Sequence, residues 1–209
     1  MGNDNFRAEL DICRNALAFK PTTELLQQAL LACVRVAEQN LASQSHSWEN
    51  ASLAREAMSY ARQLMEYEGM LAVVENGIGD MVEAIYEHPR LKLELMLLQS
   101  DVLQMLNRAH DELDADIAFY RSNIAAADSG RLDDIKQTTM LKYDPVEWTA
   151  RWEDIIDEAD KIVESRLALH PRGLGFCHTY WQKRAEVLSK QFDIEWRSPA
   201  RMNPRVMFD

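Results

Sequence analysis

The chain has 209 residues, 34 acidic and 23 basic, for a formal net charge of −11. That length is ample for a real core, and an acidic body repels phosphate backbones, which excludes general nucleic-acid binding. No run approaches the roughly 18 apolar residues of a membrane span, and Met1 to Asp11 carries acids without an apolar stretch, so neither a membrane segment nor a signal peptide is expected.

The charge is uneven. Residues 1–164 hold 30 acids and 15 bases, whereas residues 165–209 hold four acids and eight bases. Gly2 raises the question of myristoylation, but Phe6 stands where Ser or Thr is wanted. The three cysteines, Cys13, Cys33 and Cys177, form no CxxC and suit no zinc spacing. They are expected to be free thiols in a reducing compartment, which makes the cytoplasm the expected location.

Only seven glycines and six prolines punctuate the chain, which favours long helices over many short strands. A first helix is predicted from Asn5 to Phe19, ended by Lys20-Pro21. Thr22 or Thr23 can cap a second helix carrying Leu26, Leu30, Val34, Ala37 and Leu41. Ser43 to Ser47 is polar and loop-like. A third helix is predicted from Trp48 to about Glu75, weakened by Gly69 and stopped by Asn76-Gly77, with a short helix from Asp80 to Glu87 before Pro89.

From Arg90 to Ile124 an apolar stripe runs through Leu91, Leu95, Leu98, Val102, Leu106, Ala109, Leu113, Ile117, Tyr120 and Ile124. Its mean step, near 3.67 residues, predicts one nearly straight helix roughly 50 Å long. Leu98, Val102, Leu106 and Leu113 are expected core residues. Ala125 to Gly130 reads as a domain edge, followed by a helix from Arg131 to Lys142. Asp144-Pro145, with Glu147 behind it, reads as the start of a helix to about Leu169. His170 to Gly175 breaks the chain, a last helix covers Phe176 to Phe192, and Asp193 to Asp209 is expected to be mostly irregular. The fold class is therefore all-α: a bundle of long antiparallel helices with a C-terminal helix and an ordered irregular tail. The expected division is a bundle over 1–127 and a helical C-terminal part over 128–209 packed on it, the two forming one globular unit.

Motifs for catalysis are sparse. His110-Asp111 is similar to the doublet with which all-α HD phosphohydrolases bind metal, where imidazole and carboxylate share an ion that activates water. Such a site also needs an upstream histidine and a distant aspartate, for which His88 and Asp157 can be nominated. Glu153, Asp157, Asp160 and Glu164 line one helix face, as do Asp80, Glu83 and Glu87. Paired acids on facing helices hold Mg²⁺ in helical pyrophosphohydrolases. Here Trp148, Trp152, Ile155, Ala159 and Ile162 form a separate apolar face, so the first row is expected to be solvent-exposed and metal-free. No histidine has Glu three positions earlier, as a ferritin-like di-metal bundle requires, and no HExxH, Walker A or GxSxG occurs. Cys177 and His178 are helix neighbours pointing about 100° apart, so they cannot form a nucleophile–base pair together.

The densest chemistry lies near the C-terminus. Six aromatics fall between Phe176 and Phe208, about twice the chain average, mixed with arginines. Trp, Tyr and Arg are the residue types of binding hot spots. His178, Tyr180, Trp181, Arg184, Trp196, Arg197 and Arg201 are the candidate binding residues. The tail is expected to be ordered, because a disordered one would be poor in aromatics. No cofactor and no metal is expected. The leading expectation is a non-catalytic intracellular binding protein, such as an acidic inhibitor or adaptor whose partner is another protein. The alternatives are a metal-dependent all-α hydrolase, HD-like or pyrophosphohydrolase-like and using His110 and Asp111, and a structural homo-oligomer with the long helix as its seam.

Overall fold

The computed structural model describes residues 3–138 and 141–208. The protein is all-α: 74% of it is helical, and no strand occurs among the described residues. The helices are α1 Asn3–Phe19, α2 Thr23–Ala42, α3 Asn50–Leu64, α4 Leu71–Ala84, α5 Pro89–Met105, α6 Asp111–Asp128, α7 Ala150–Arg166, α8 Phe176–Phe192 and a single turn, α9 Pro199–Met202. Contacts divide the chain into two compact units, Met1–Tyr120 and Arg121–Asp209, and α6 runs across the boundary. No described helix is long and apolar enough to cross a membrane.

The first unit is built around α2. Thr22 caps it, its side chain accepting from the Leu25 N–H at 3.3 Å. Ala29, Leu30, Ala32, Cys33, Val36 and Ala37 are buried along it. The facing side of α3 is made of Ala51, Ala54, Ala57 and Ala61, with Met58 among them. Alanines on both helices let the two backbones approach closely and leave little conformational entropy to lose. Leu10 and Cys13 of α1, Leu71, Val74, Ile78 and Met81 of α4, and Leu91, Leu95 and Val102 of α5 complete the core. Burial pushes the Cys33 thiol well above its ordinary pKa, so this cysteine is an apolar core side chain.

Two polar groups in this unit are deeply buried and fully engaged. Asn50 Nδ2 donates to the carbonyls of Ala37, at 3.1 Å, and Ala84, at 3.2 Å, which ties the ends of α2 and α4 to the start of α3. Asn40 Nδ2 donates to Asn50 Oδ1 at 2.8 Å, and Arg7 Nη2 donates to Asn40 Oδ1 at 2.7 Å. The chain of bonds thus reaches from α1 to α4 and satisfies the Ala84 carbonyl that the end of α4 leaves open.

A second tie joins α1 to α3. Arg14 Nε and Nη2 donate to Glu56 at 2.9 and 2.6 Å, and the Tyr60 hydroxyl donates to the same carboxylate at 2.6 Å. Burial works to raise the Glu56 pKa, but the hydrogen bonds from Arg14 and Tyr60 outweigh it and hold the carboxyl below its ordinary value. A depressed folded pKa contributes stability that is complete above the unfolded value, near 4.3, and is lost as pH falls through the folded one. Glu56→Gln is therefore expected to melt below the wild type at pH 7. The difference should shrink as pH falls below about 4. A difference that stays constant from neutral to acid pH would show that the carboxylate's charge contributes nothing.

The predicted long helix over 90–124 is two helices. α5 ends at Met105, Asn107 adopts a left-handed φ of 52°, and Arg108 N–H closes back on the Leu103 carbonyl at 3.0 Å. This is a helix stop with asparagine in the left-handed position. α6 then begins with Asp111, Glu112 and Asp114 in its first turn, where carboxylates favour the positive end of the helix dipole. The apolar spacing continued across the break by coincidence of phase. Leu98 and Val102 are core residues as expected, but Leu106 and Leu113 are only half-buried and Ala109 is exposed. Leu106→Ala is accordingly expected to cost less than the roughly 2–5 kcal/mol of a fully enclosed leucine, measurable by denaturant unfolding.

The predicted helix from Trp48 to Glu75 is likewise split. α3 stops at Leu64, a short connection with a 3-10 turn, Glu68–Met70, follows, and α4 runs straight through Asn76-Gly77. Gly77 does not end a helix; it makes room. A Cβ there would lie 3.2 Å from Leu30 Cγ and Cδ2. Of the separate short helix predicted over Asp80 to Glu87, residues 80–84 are the last part of α4, and Ile85, which follows, is extended.

In the second unit, α7 and α8 pair antiparallel. Arg184 on α8 meets Asp160 on α7, and Arg151 near the start of α7 reaches the Phe192 carbonyl at the end of α8. Trp152, Ile155, Ile156, Ala159 and Val163 of α7 pack on Val187 and Leu188 of α8 and on Ile194 and Trp196 of the tail. α7 starts later than predicted: Asp144 begins a short 3-10 turn, Pro145–Trp148, and Thr149 caps the α-helix.

The helix predicted from Arg131 to Lys142 does not form; only Leu132–Asp134 makes a 3-10 turn, and Thr139 and Met140 lie outside the described residues. Side-chain amides replace the missing backbone ladder. Asn123 accepts from the Lys136 N–H at 2.9 Å and donates to its carbonyl at 3.0 Å. Gln137 does the same for Tyr143, at 2.9 and 3.0 Å, and Asn203 for Lys142, at 2.9 and 2.8 Å. Each amide matches one residue's donor and acceptor, so these three backbones are satisfied without a sheet.

Candidate binding surface

The C-terminal segment is ordered, and much of it is committed to holding the second unit together. Arg184 and Asp160 form a buried ion pair, with Arg184 Nε donating to Asp160 Oδ1 at 2.7 Å and Nη2 donating to Oδ2. The guanidinium carbon lies 5.3 Å from the Trp196 ring centroid, 5.5 Å from Tyr180 and 5.8 Å from Trp152. An arginine enclosed by aromatic faces and a bidentate carboxylate is a structural core element. Arg184 and Trp196 are therefore not on the surface. Trp196 also donates from Nε1 to Glu147 Oε1 at 2.7 Å.

This pairing corrects the expectation for the acidic row on α7. Asp160 is buried against Arg184, and Glu153, Asp157 and Glu164 are half-buried; Glu164 accepts from Arg172 Nη2 at 3.1 Å. The apolar face of α7 was read from its spacing, but the partner cation lies 24 residues away on α8.

Arg197 is exposed at its tip yet anchored. Its backbone N–H donates to Asp144 Oδ2 at 2.7 Å, and its Nε donates to the same oxygen at 3.0 Å. The Asp144 carboxylate raises the pKa of the guanidinium. Arg201 is exposed on α9, and its N–H meets the capping Ser198 hydroxyl at 3.4 Å.

His178, Trp181 and the end of the chain form a different group. His178 Nε2 donates to the Phe208 carbonyl at 3.2 Å. Trp181 stacks edge-on between His178, at 5.5 Å, and Phe208, at 5.1 Å. These contacts bring the last residues to the first turns of α8. The α7–α8 turn lies at that same end, because the helices are antiparallel. There Leu169 is 98% exposed, Leu174 91% and Met207 94%, with Val206 beside them. Full exposure of three large aliphatic side chains at one end of a small unit is the most conspicuous surface feature of the second unit. These side chains are neither aromatic nor basic, so residue type alone does not single them out in the sequence. Leu169 and Leu174 flank the His170-Pro171-Arg172-Gly173 break, outside any helical period, and that position was the available clue.

His110 occupies the α5–α6 connection. Its Nδ1 donates to the Arg108 carbonyl at 3.0 Å, and its Nε2 lies 3.3 Å from Ser100 Oγ and 3.5 Å from Asp114. Asp111 is exposed at the start of α6. Among the described residues, no three His, Cys, Asp or Glu side chains gather as a metal-binding group. Cys13, Cys33 and Cys177 are free, the first two buried and the third half-buried.

Fold and surface together define an all-α protein with an exposed aliphatic end on its second unit. No family model matches the chain, and neither a curated protein nor a solved structure matches it.

Proposed function

We propose that this is a non-catalytic binding protein whose partner is another protein, engaged by the end of the second unit formed by the α7–α8 turn, the first turns of α8 and residues 206–208. The observation that carries the reading is the near-complete exposure of Leu169, Leu174 and Met207 beside Trp181 and Phe208. Aliphatic side chains left in water cost free energy that a partner recovers by covering them, about 25 cal/mol per Å². Aromatic side chains next to them supply rigid contact area at low entropy cost. Arg184 of α8 and Trp196 of the tail are buried together, fixing the tail to α8 so that the end is presented in one shape.

The test substitutes Leu169, Leu174 and Met207 together with serine. These side chains touch little of the unit's core, so melting should be nearly unchanged. Proteins captured under native conditions by the wild type and lost by the triple variant are then purified and titrated against both. The expected result is a partner whose Kd weakens by at least about tenfold. A partner that binds both forms equally, with both forms folded, would remove this end from the interface.

A further inference from the structure

We infer that this same end selects an acidic, amphipathic segment of its partner, one that sets carboxylates beside apolar side chains. The inference rests on the reading above and adds the chemistry of what is bound.

The first observation is the distribution of acids. The chain has 34 of them, yet residues 165–185 contain none, the longest acid-free run in the sequence, and residues 196–208 contain none either. Within the first run lie Arg166, Arg172, Lys183 and Arg184, and within the second Arg197, Arg201 and Arg205. The fold brings the two runs together, through His178 on the Phe208 carbonyl, Trp181 on Phe208, and Arg184 on Trp196. Two segments far apart in sequence are thus brought together, and neither carries a carboxylate side chain of its own.

The second observation is how the surrounding charges are disposed. Glu164, the nearest acid before the first run, is paired with Arg172. Glu186, the first acid after it, is held by Lys183 and Lys190, whose hydrogen bonds pull its pKa down to about 2. Arg166 and Arg205 are exposed and pair with no carboxylate among the described residues. Arg166 ends α7 at the turn, and Arg205 directly precedes Val206 and Met207. Cations that flank the exposed aliphatics without a partner complete an apolar centre with a basic rim, the arrangement that complements acids flanking apolar anchors.

The remaining charge of the chain decides among anionic partners. Residues 1–164 carry a net charge of −15. A membrane surface or a nucleic-acid backbone presents many negative charges at once, and the chain's net charge of −11 opposes it. A short acidic segment brings few charges, which the exposed Arg166 and Arg205 can meet, so the net repulsion it must overcome is smaller. A short acidic segment is therefore the anion this surface accepts.

A displayed library of random twelve-residue peptides, selected on the full chain, tests the inference directly. The recovered peptides should be enriched in Asp and Glu interspersed with Leu, Phe or Trp. The best peptide, made synthetically, should lose at least about tenfold in affinity against Leu169→Ser/Leu174→Ser. It should lose a comparable factor against Arg166→Glu/Arg205→Glu, a loss that shrinks as salt rises. Because both pairs are exposed, unchanged melting curves confirm folded variants. Recovered peptides that are neutral or basic, or an acidic peptide indifferent to the arginine pair, would overturn the inference while leaving the binding end in place. Peptides indifferent to the leucine pair would instead remove the end itself. Sedimentation with vesicles of anionic lipid, at physiological salt and abolished by Leu169→Ser/Leu174→Ser, would also overturn it in favour of a membrane surface.

Discussion

Asp160→Ala is expected to destabilise the second unit by about 3–5 kcal/mol, because it leaves the buried Arg184 guanidinium without its counter-charge. Both side chains are about 95% removed from solvent, so water cannot stand in for the lost carboxylate. The aromatic faces of Trp152, Tyr180 and Trp196 attract the cation but cannot replace two charge-assisted hydrogen bonds. Arg184→Met should be milder, since methionine fills most of the volume and the uncompensated group is then the smaller carboxylate, which can take up a proton. The double variant Asp160→Leu/Arg184→Met removes both charges and should recover much of the loss. Denaturant unfolding followed by tryptophan fluorescence reports on this site, given Trp152 and Trp196 in its wall. Single and double variants equally unstable would show that shape, not charge pairing, governs the site. A small loss for Asp160→Ala would mean the guanidinium escapes to solvent.

In the first unit, Leu30→Ala is expected to cost roughly 2–5 kcal/mol, as Leu30 has no exposed surface and its truncation opens a cavity between α2 and α4. The more discriminating result concerns Gly77. Placed in the wild type, the alanine methyl would press at 3.2 Å on an enclosed Leu30 and should cost stability. Placed in the Leu30→Ala background, the same methyl enters the vacated space and adds the helix propensity that glycine lacks, about 1 kcal/mol. Gly77→Ala should thus change sign between the two backgrounds. A double-mutant cycle reads this coupling, and additive effects would show that Leu30 and Gly77 are not in contact.

These expectations separate what each level of description supplies. The sequence by itself determined the helical class, the start of α2 to within the Thr22-Thr23 pair, and both ends of α8. Those features depend on local chemistry: a hydroxyl accepting from an N–H three residues on, a Pro-Gly break, an apolar period of 3.6 residues. Where the signal was local but ambiguous, the reading failed in an instructive way. Asn107 stopped a helix that the apolar period carried through, and Gly77 sat inside a helix that its glycine was taken to end. The period records which side of a helix is apolar, not whether the backbone is continuous. A glycine records that a side chain is absent, not whether a turn or a neighbouring leucine requires it.

Only the tertiary structure decided the rest. Asp160 read as part of a solvated row because its partner, Arg184, belongs to another helix. Residues 131–142 read as a helix because the side-chain amides that bond the backbones of Lys136 and Lys142, those of Asn123 and Asn203, come from distant points of the chain. Trp196 and Arg184 resembled recognition residues by type, yet their burial gives them to the core, while Leu169, Leu174 and Met207 gained their significance from exposure alone. Hydrogen-bond partners and solvent exposure depend on which segments meet after folding, and no window of adjacent residues contains that information.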